Sequence, residues 1–154
     1  MKIFKIFALA AMMFGFVACD NGEKTPEPPF NGNTGYMGTV SVVVDGATVD
    51  TPNTAVGIEP RKDGSMFMDI KFGAVKFVPA MPALDITVPD VSYTIEDGVA
   101  KLSGSNIIPI CLGGEFPMYT VTTLTGTVDP STIKLELNFG QYPTKYVGNK
   151  LKVE

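Results

Sequence analysis

The most reactive side chains in this 154-residue chain are two cysteines, Cys19 and Cys111. Cys111 sits in the run Ile107-Ile108-Pro109-Ile110-Cys111-Leu112. A catalytic thiol needs a neighbouring cation to lower its pKa, and none is adjacent. A free cysteine among aliphatics behaves as a small buried hydrophobe, so Cys111 is expected in the core. The chain has no histidine. That removes the Ser-His-Asp triad, the imidazole general base and the histidine-ligated zinc or haem site. The carboxylates Asp45, Asp50, Asp63, Asp69, Asp85, Asp90, Glu96, Asp97 and Asp129 are scattered, most of them at turns. There an Asp side chain accepts hydrogen bonds from its own backbone. No short loop gathers several of them as a calcium site would, so no metal is expected. Gly113-Gly114 lacks the strand–loop–helix setting and the lysine-serine pair of a phosphate loop. A carboxylate pair for glycoside hydrolysis is assembled in space, and no other motif here supports one. No enzyme activity and no cofactor are expected.

Cys19 has a different setting. Lys2 and Lys5 precede an apolar run from Ile6 to Ala18, the layout of an export signal. The run is shorter than the roughly 20 residues of a spanning helix. It ends in Phe16-Val17-Ala18-Cys19, which resembles the bacterial lipobox, with Phe16 where leucine is usual. The resemblance implies cleavage before Cys19 and acylation of its thiol and new amine. At about 0.8 kcal/mol per buried methylene, two or more acyl chains hold a protein firmly to a leaflet. Residues 1–18 are therefore expected to be a lipoprotein signal, and the membrane to be a partner through the Cys19 lipid. The expected address is the cell envelope, at the outer membrane.

Removing Lys2 and Lys5 with the signal leaves ten basic residues against sixteen acidic ones, a net charge of about −6. A chain without a basic stripe is not a nucleic-acid binder. With Cys19 acylated, Cys111 has no disulfide partner, so the domain must be held by its core. Residues 19–35 are rich in Pro, Gly and small polar residues and read as a disordered tether.

Beyond Gly35 the apolar period is two. Val40, Val42 and Val44 alternate with Thr39, Ser41 and Val43, and Asp45-Gly46 follows as a hairpin turn. Separate strands are expected over 47–51 and 55–59, then a turn at 62–65. Met66, Met68, Ile70 and Phe72 share one face of the next strand. Leu84, Ile86 and Val88 alternate until Pro89-Asp90 closes their strand. Pro79, Pro82 and Pro89 suit a sheet edge or barrel rim. A further strand, 92–96, meets a second hairpin turn at Asp97-Gly98, and 99–108 returns. Residues 109–117 read as loop. The threonine-rich stretch 119–128 suits a pleated strand, and its exposed threonines an ordinary solvated face. Ile133, Leu135, Leu137 and Phe139 alternate with Lys134, Glu136 and Asn138. A last short strand is expected near 146–147 or 151–153. Strands this short, with turns every 8–12 residues, point to an antiparallel barrel or sandwich.

The ordered segments Tyr36-Met37-Gly38-Thr39-Val40-Ser41-Val42, Met81-Pro82-Ala83-Leu84-Asp85-Ile86-Thr87-Val88, Leu102-Ser103-Gly104-Ser105 and Leu124-Thr125-Gly126-Thr127-Val128, with the strand at 134–138, resemble the calycin-like β-barrel domain family of Bacteroidetes lipoproteins. The resemblance covers about residues 36–145 and implies an all-β, lipocalin-like antiparallel barrel of about eight strands within 36–154. It brings no catalytic motif, and the chain lacks the tryptophan of the usual lipocalin start.

Met66, Met68, Ile70, Phe72, Leu135, Leu137 and Phe139 are the candidate lining of the barrel interior. An eight-stranded barrel either fills its middle with side chains or leaves room for one small ligand. The expected role is therefore binding, of a small apolar ligand or of an envelope protein partner. The alternative is a structural or interaction subunit with a fully packed barrel. An open void of about 300 Å3 or more would favour the first. A barrel plugged by Met66, Met68, Phe72, Leu135 and Phe139 would favour the second.

Overall fold

The structure, a computed structural model, describes residues 28–76 and 81–152. The export signal, Cys19, Phe77, Val78 and Pro79 lie outside the described residues. Ten strands appear in chain order among the described residues: β1 (Thr34–Val44), β2 (Ala47–Pro60), β3 (Phe67–Val75), β4 (Leu84–Glu96), β5 (Val99–Ile107), β6 (Ile110–Cys111), β7 (Gly114–Glu115), β8 (Val121–Val128), β9 (Thr132–Phe139) and β10 (Tyr142–Lys150). Eight of them close a circle in the order β1-β2-β3-β4-β5-β8-β9-β10, with β10 returning to β1. Every neighbouring pair is antiparallel. The two-residue strands β6 and β7 form a small hairpin beside the first half of β4, with β6 pairing to Ile86 and Thr87.

Side-chain alternation builds the core. In β9, Ile133, Leu135, Leu137 and Phe139 are buried while Lys134 and Glu136 are exposed. In β10, Tyr146 lies inside and opposite the wall-facing Val147. The alternation would fail along the longer strands, because a closed barrel bends them. Bulges reset it. Pro52 and Asn53 of β2 together oppose Thr39 of β1, and Pro89 and Asp90 of β4 oppose Asp69 of β3. Each extra residue shifts the phase, so Val88 and Val91 both point inward although three positions apart. At a third bulge Gly73 and Ala74 of β3 oppose Asp85 of β4, and Asn53, Ala74 and Asp90 take positive φ at the three bulges. Arg61 clamps the β4 bulge by donating from Nη2 to Asp69 Oδ1 at 2.7 Å and to Asp90 Oδ1.

Four expectations are corrected here. The two strands expected over 47–51 and 55–59 are one bent strand, β2. Pro89-Asp90 does not close a strand but sits inside β4 as a bulge. The final strand is nine residues long, because β10 must span the full wall between β9 and β1. Residues 109–117 hold the β6–β7 hairpin, followed by a 3-10 turn at Pro117–Tyr119.

One rim is where the chain enters at Thr34, together with the turns β2–β3, β4–β5 and β8–β9. The opposite rim carries the β1–β2 and β9–β10 turns and the β6–β7 hairpin. Phe30, within the stretch read as tether, is 5% exposed and meets the Tyr93 ring edge-on at 5.6 Å. It is an aromatic plug on the entry rim, so the body of the domain begins several residues before Tyr36.

Candidate functional site

Six of the seven residues assigned to the barrel interior lie there. Met68, Ile70 and Phe139 are 0% exposed, and Phe72 and Leu135 are 1% exposed. Leu137 is also buried. Met66 is not among them: it is 44% exposed. Its strand begins one residue later, at Phe67, and the Met66 carbonyl accepts a hydrogen bond from the Tyr93 amide on the entry rim. Period-two extrapolation ran one step past the end of the strand.

The interior is bulky. The Phe72 ring meets Phe139 at 5.4 Å and Tyr146 at 6.1 Å, both edge-on. Such edge-to-face pairs contribute about 0.5–1.5 kcal/mol beyond the area they bury. The Tyr146 ring folds over Gly148, where an added Cβ would lie 2.6 Å from its hydroxyl oxygen. Tyr146 donates that hydroxyl to the Thr54 carbonyl at 2.7 Å, tying β10 to the bulge of β2. Exposures of 0–1% leave no room for a water against these side chains. Tyr36 fills the entry end, and its buried hydroxyl has no hydrogen-bond partner among the described residues. Burial, with a smaller contribution from Asp129, pushes the Tyr36 phenol up to about 12. Burial does the same to Tyr146.

Two clefts open on the outer surface of the barrel. One of about 500 Å3 runs over Ser41, Asp50, Glu136 and Lys145. Another of about 410 Å3 lies on the far rim between Ala83-Leu84-Asp85 and the β6–β7 hairpin. Cys111 borders this second cleft but is buried, and desolvation, helped by Asp85, raises its thiol pKa. That is the opposite of an activated nucleophile. No cluster of three or more metal-ligating side chains forms among the described residues.

The far-rim hairpin was missed by sequence reasoning, which read residues 109–117 as loop. Its tip residue Leu112 is 78% exposed, and Met118 just beyond it is 71% exposed. Ile108 and Ile110 are exposed beside them. Phe116 stacks on Tyr119 at 5.3 Å, and Tyr119 meets Tyr142 of β10. Three hairpins have two-residue turns with positive φ at both central positions. Two use Asp-Gly, as that geometry prefers, and the third uses Leu112-Gly113.

No curated protein matches the chain. Among solved structures, a Bacteroides fragilis protein described as a candidate outer membrane protein superposes with a TM-score of 0.53 at 21% identity. The match covers 80% of this chain and 51% of that protein, so this chain spans about half its length. The likeness is one of fold. A family model described as the calycin-like beta-barrel domain matches residues 33–153, from the residue before β1 to just past the last described residue. With that match over the same eight-stranded closure seen in the structure, the chain belongs to the calycin-like β-barrel domain family.

Proposed function

We propose that this protein is a lipid-anchored, non-enzymatic component of the cell envelope whose barrel is a packed scaffold acting through its outer surface. The observation that carries this reading is the interior exposure: Met68, Ile70, Phe72, Leu135 and Phe139 are 0–1% exposed. A ligand carrier of this architecture keeps a cavity of about 300 Å3 or more, and these side chains occupy that space. The anchor rests on the lipobox-like Phe16-Val17-Ala18-Cys19. The envelope address draws further support from the similar Bacteroides fragilis protein. A non-enzymatic role fits a protein without histidine whose one described thiol is buried and held protonated.

Two measurements test this. Mass spectrometry of material eluted from protein purified out of its native host is expected to show no small molecule at stoichiometric level. A stoichiometric lipid or pigment would overturn the packed-scaffold reading. Cys19→Ala is expected to move the protein into the soluble fraction. Retention of that variant on membranes would overturn the anchor.

A further inference from the structure

We propose that the Leu112 hairpin is a docking finger for a protein partner that offers an apolar pocket rimmed by cationic groups. This rests on the reading that the barrel acts through its outer surface. The finger joins a costly conformation to a costly exposure. Leu112 holds φ at +54°, a region that bulky side chains rarely adopt. The two sister turns avoid the strain with Asp45 and Asp97 at the same position. The side chain held there is the most exposed large hydrophobic residue described, and Met118 is next. Ile108 and Ile110 of the same segment are exposed too, and Phe116 and Tyr119, which follow the hairpin, stack on each other. Strain that yields no packing within the chain is repaid elsewhere, and exposed apolar clusters mark interaction sites.

Charge and geometry select the occupant. Asp85 is the charged residue lining the adjacent 410 Å3 cleft, and Glu115 is exposed on β7. Acidic groups around an apolar tip repel an anionic lipid surface and fit a pocket with a cationic rim. The finger also stands on the rim opposite the one where the chain enters at Thr34. The chain enters at the Thr34 rim, and the hairpin stands at the other end of nine-residue walls such as β5, about 30 Å away at the usual strand rise.

The test is photocrosslinking in the native host, with benzoylphenylalanine replacing Met118 in the full chain. The expected result is a discrete protein adduct that Leu112→Asn weakens by roughly tenfold or more, as loss of a central apolar anchor does. Asn tolerates positive φ, so this variant should melt no lower than the parent. Glu115→Lys, a change at an exposed position, should also weaken the adduct. A probe replacing Lys62 on the opposite rim should give no such adduct. An adduct indifferent to Leu112→Asn, an adduct of twice the chain's own mass, a lipid adduct, or none would overturn the proposal. A lipid or pigment in the eluate would overturn the packed-scaffold reading alone, so the two failures are distinguishable.

Discussion

The two interior tyrosines offer a matched pair of perturbations with opposite expected signs. Tyr36→Phe removes a buried hydroxyl that has no hydrogen-bond partner among the described residues. Burying an unsatisfied hydroxyl costs about 1–3 kcal/mol, so its removal should stabilise the fold by about 1–2 kcal/mol after a small loss of packing. Tyr146→Phe removes a 2.7 Å bond to the Thr54 carbonyl and leaves that acceptor in the interior. The expected cost is about 1–2 kcal/mol. The two variants should therefore differ by about 2–4 kcal/mol, although each loses only one oxygen. Urea unfolding followed by far-UV circular dichroism measures this directly, with equal m-values as the check that both fold alike. For a domain of this size, 1 kcal/mol moves Tm by roughly 3–6 °C, so melting curves should bracket the parent from both sides. If Tyr36→Phe lowers stability as Tyr146→Phe does, the account of a tightly closed entry end is wrong.

Three further outcomes follow from the same structure. Burial raises both phenols to about 12, so the folded state favours their protonated form. That contribution is complete below the ordinary tyrosine pKa near 10 and is lost as pH rises from there towards 12. Stability profiles from pH 9 to 11.5 should fall, and less steeply for Tyr36→Phe. Cys111 should resist a thiol reagent in the native protein and react at once in denaturant, because it is buried and its pKa is raised; fast native labelling would contradict its placement. Asp129 Oδ1 accepts the Ser131 and Thr132 amides at 2.8 and 2.7 Å, so Asp129→Ala should cost about 1–2 kcal/mol in the β8–β9 turn. The same bonds lower the Asp129 pKa. Its contribution holds above the ordinary aspartate pKa and fades as pH falls through the depressed value, so the variant's deficit should shrink in acid.

The core of the barrel was legible wherever strands run without interruption. Ile133 to Phe139 alternates strictly, and every aliphatic or aromatic residue in it points inward. Asp45-Gly46 and Asp97-Gly98 announced their hairpins because the turn geometry demands those residues. The errors fall where closure of the barrel imposes what local pattern cannot express. Pro52-Asn53 and Pro89-Asp90 carry the residues of turns, yet they lie inside strands as bulges. Bulge and turn share the need for positive φ, and only the partner strand decides between them. Met66 failed because alternation has no marker for where pairing starts. Phe30 failed because a lone aromatic among prolines gives no period at all, although Tyr93 stands ready to receive it. The candidate docking finger was not seen, because residues 109–117 read as loop and Leu112-Gly113 is not a pair that two-residue hairpin turns favour.

The central claim is that the barrel's middle is already full. Titration of the purified domain with the apolar fluorophore N-phenyl-1-naphthylamine tests it most directly. The filled interior of Phe72, Phe139 and Tyr146 predicts no saturable fluorescence enhancement in the parent protein. Saturable one-to-one binding by the parent, lost when Phe72 or Leu135 is altered, would show an interior site and contradict the account.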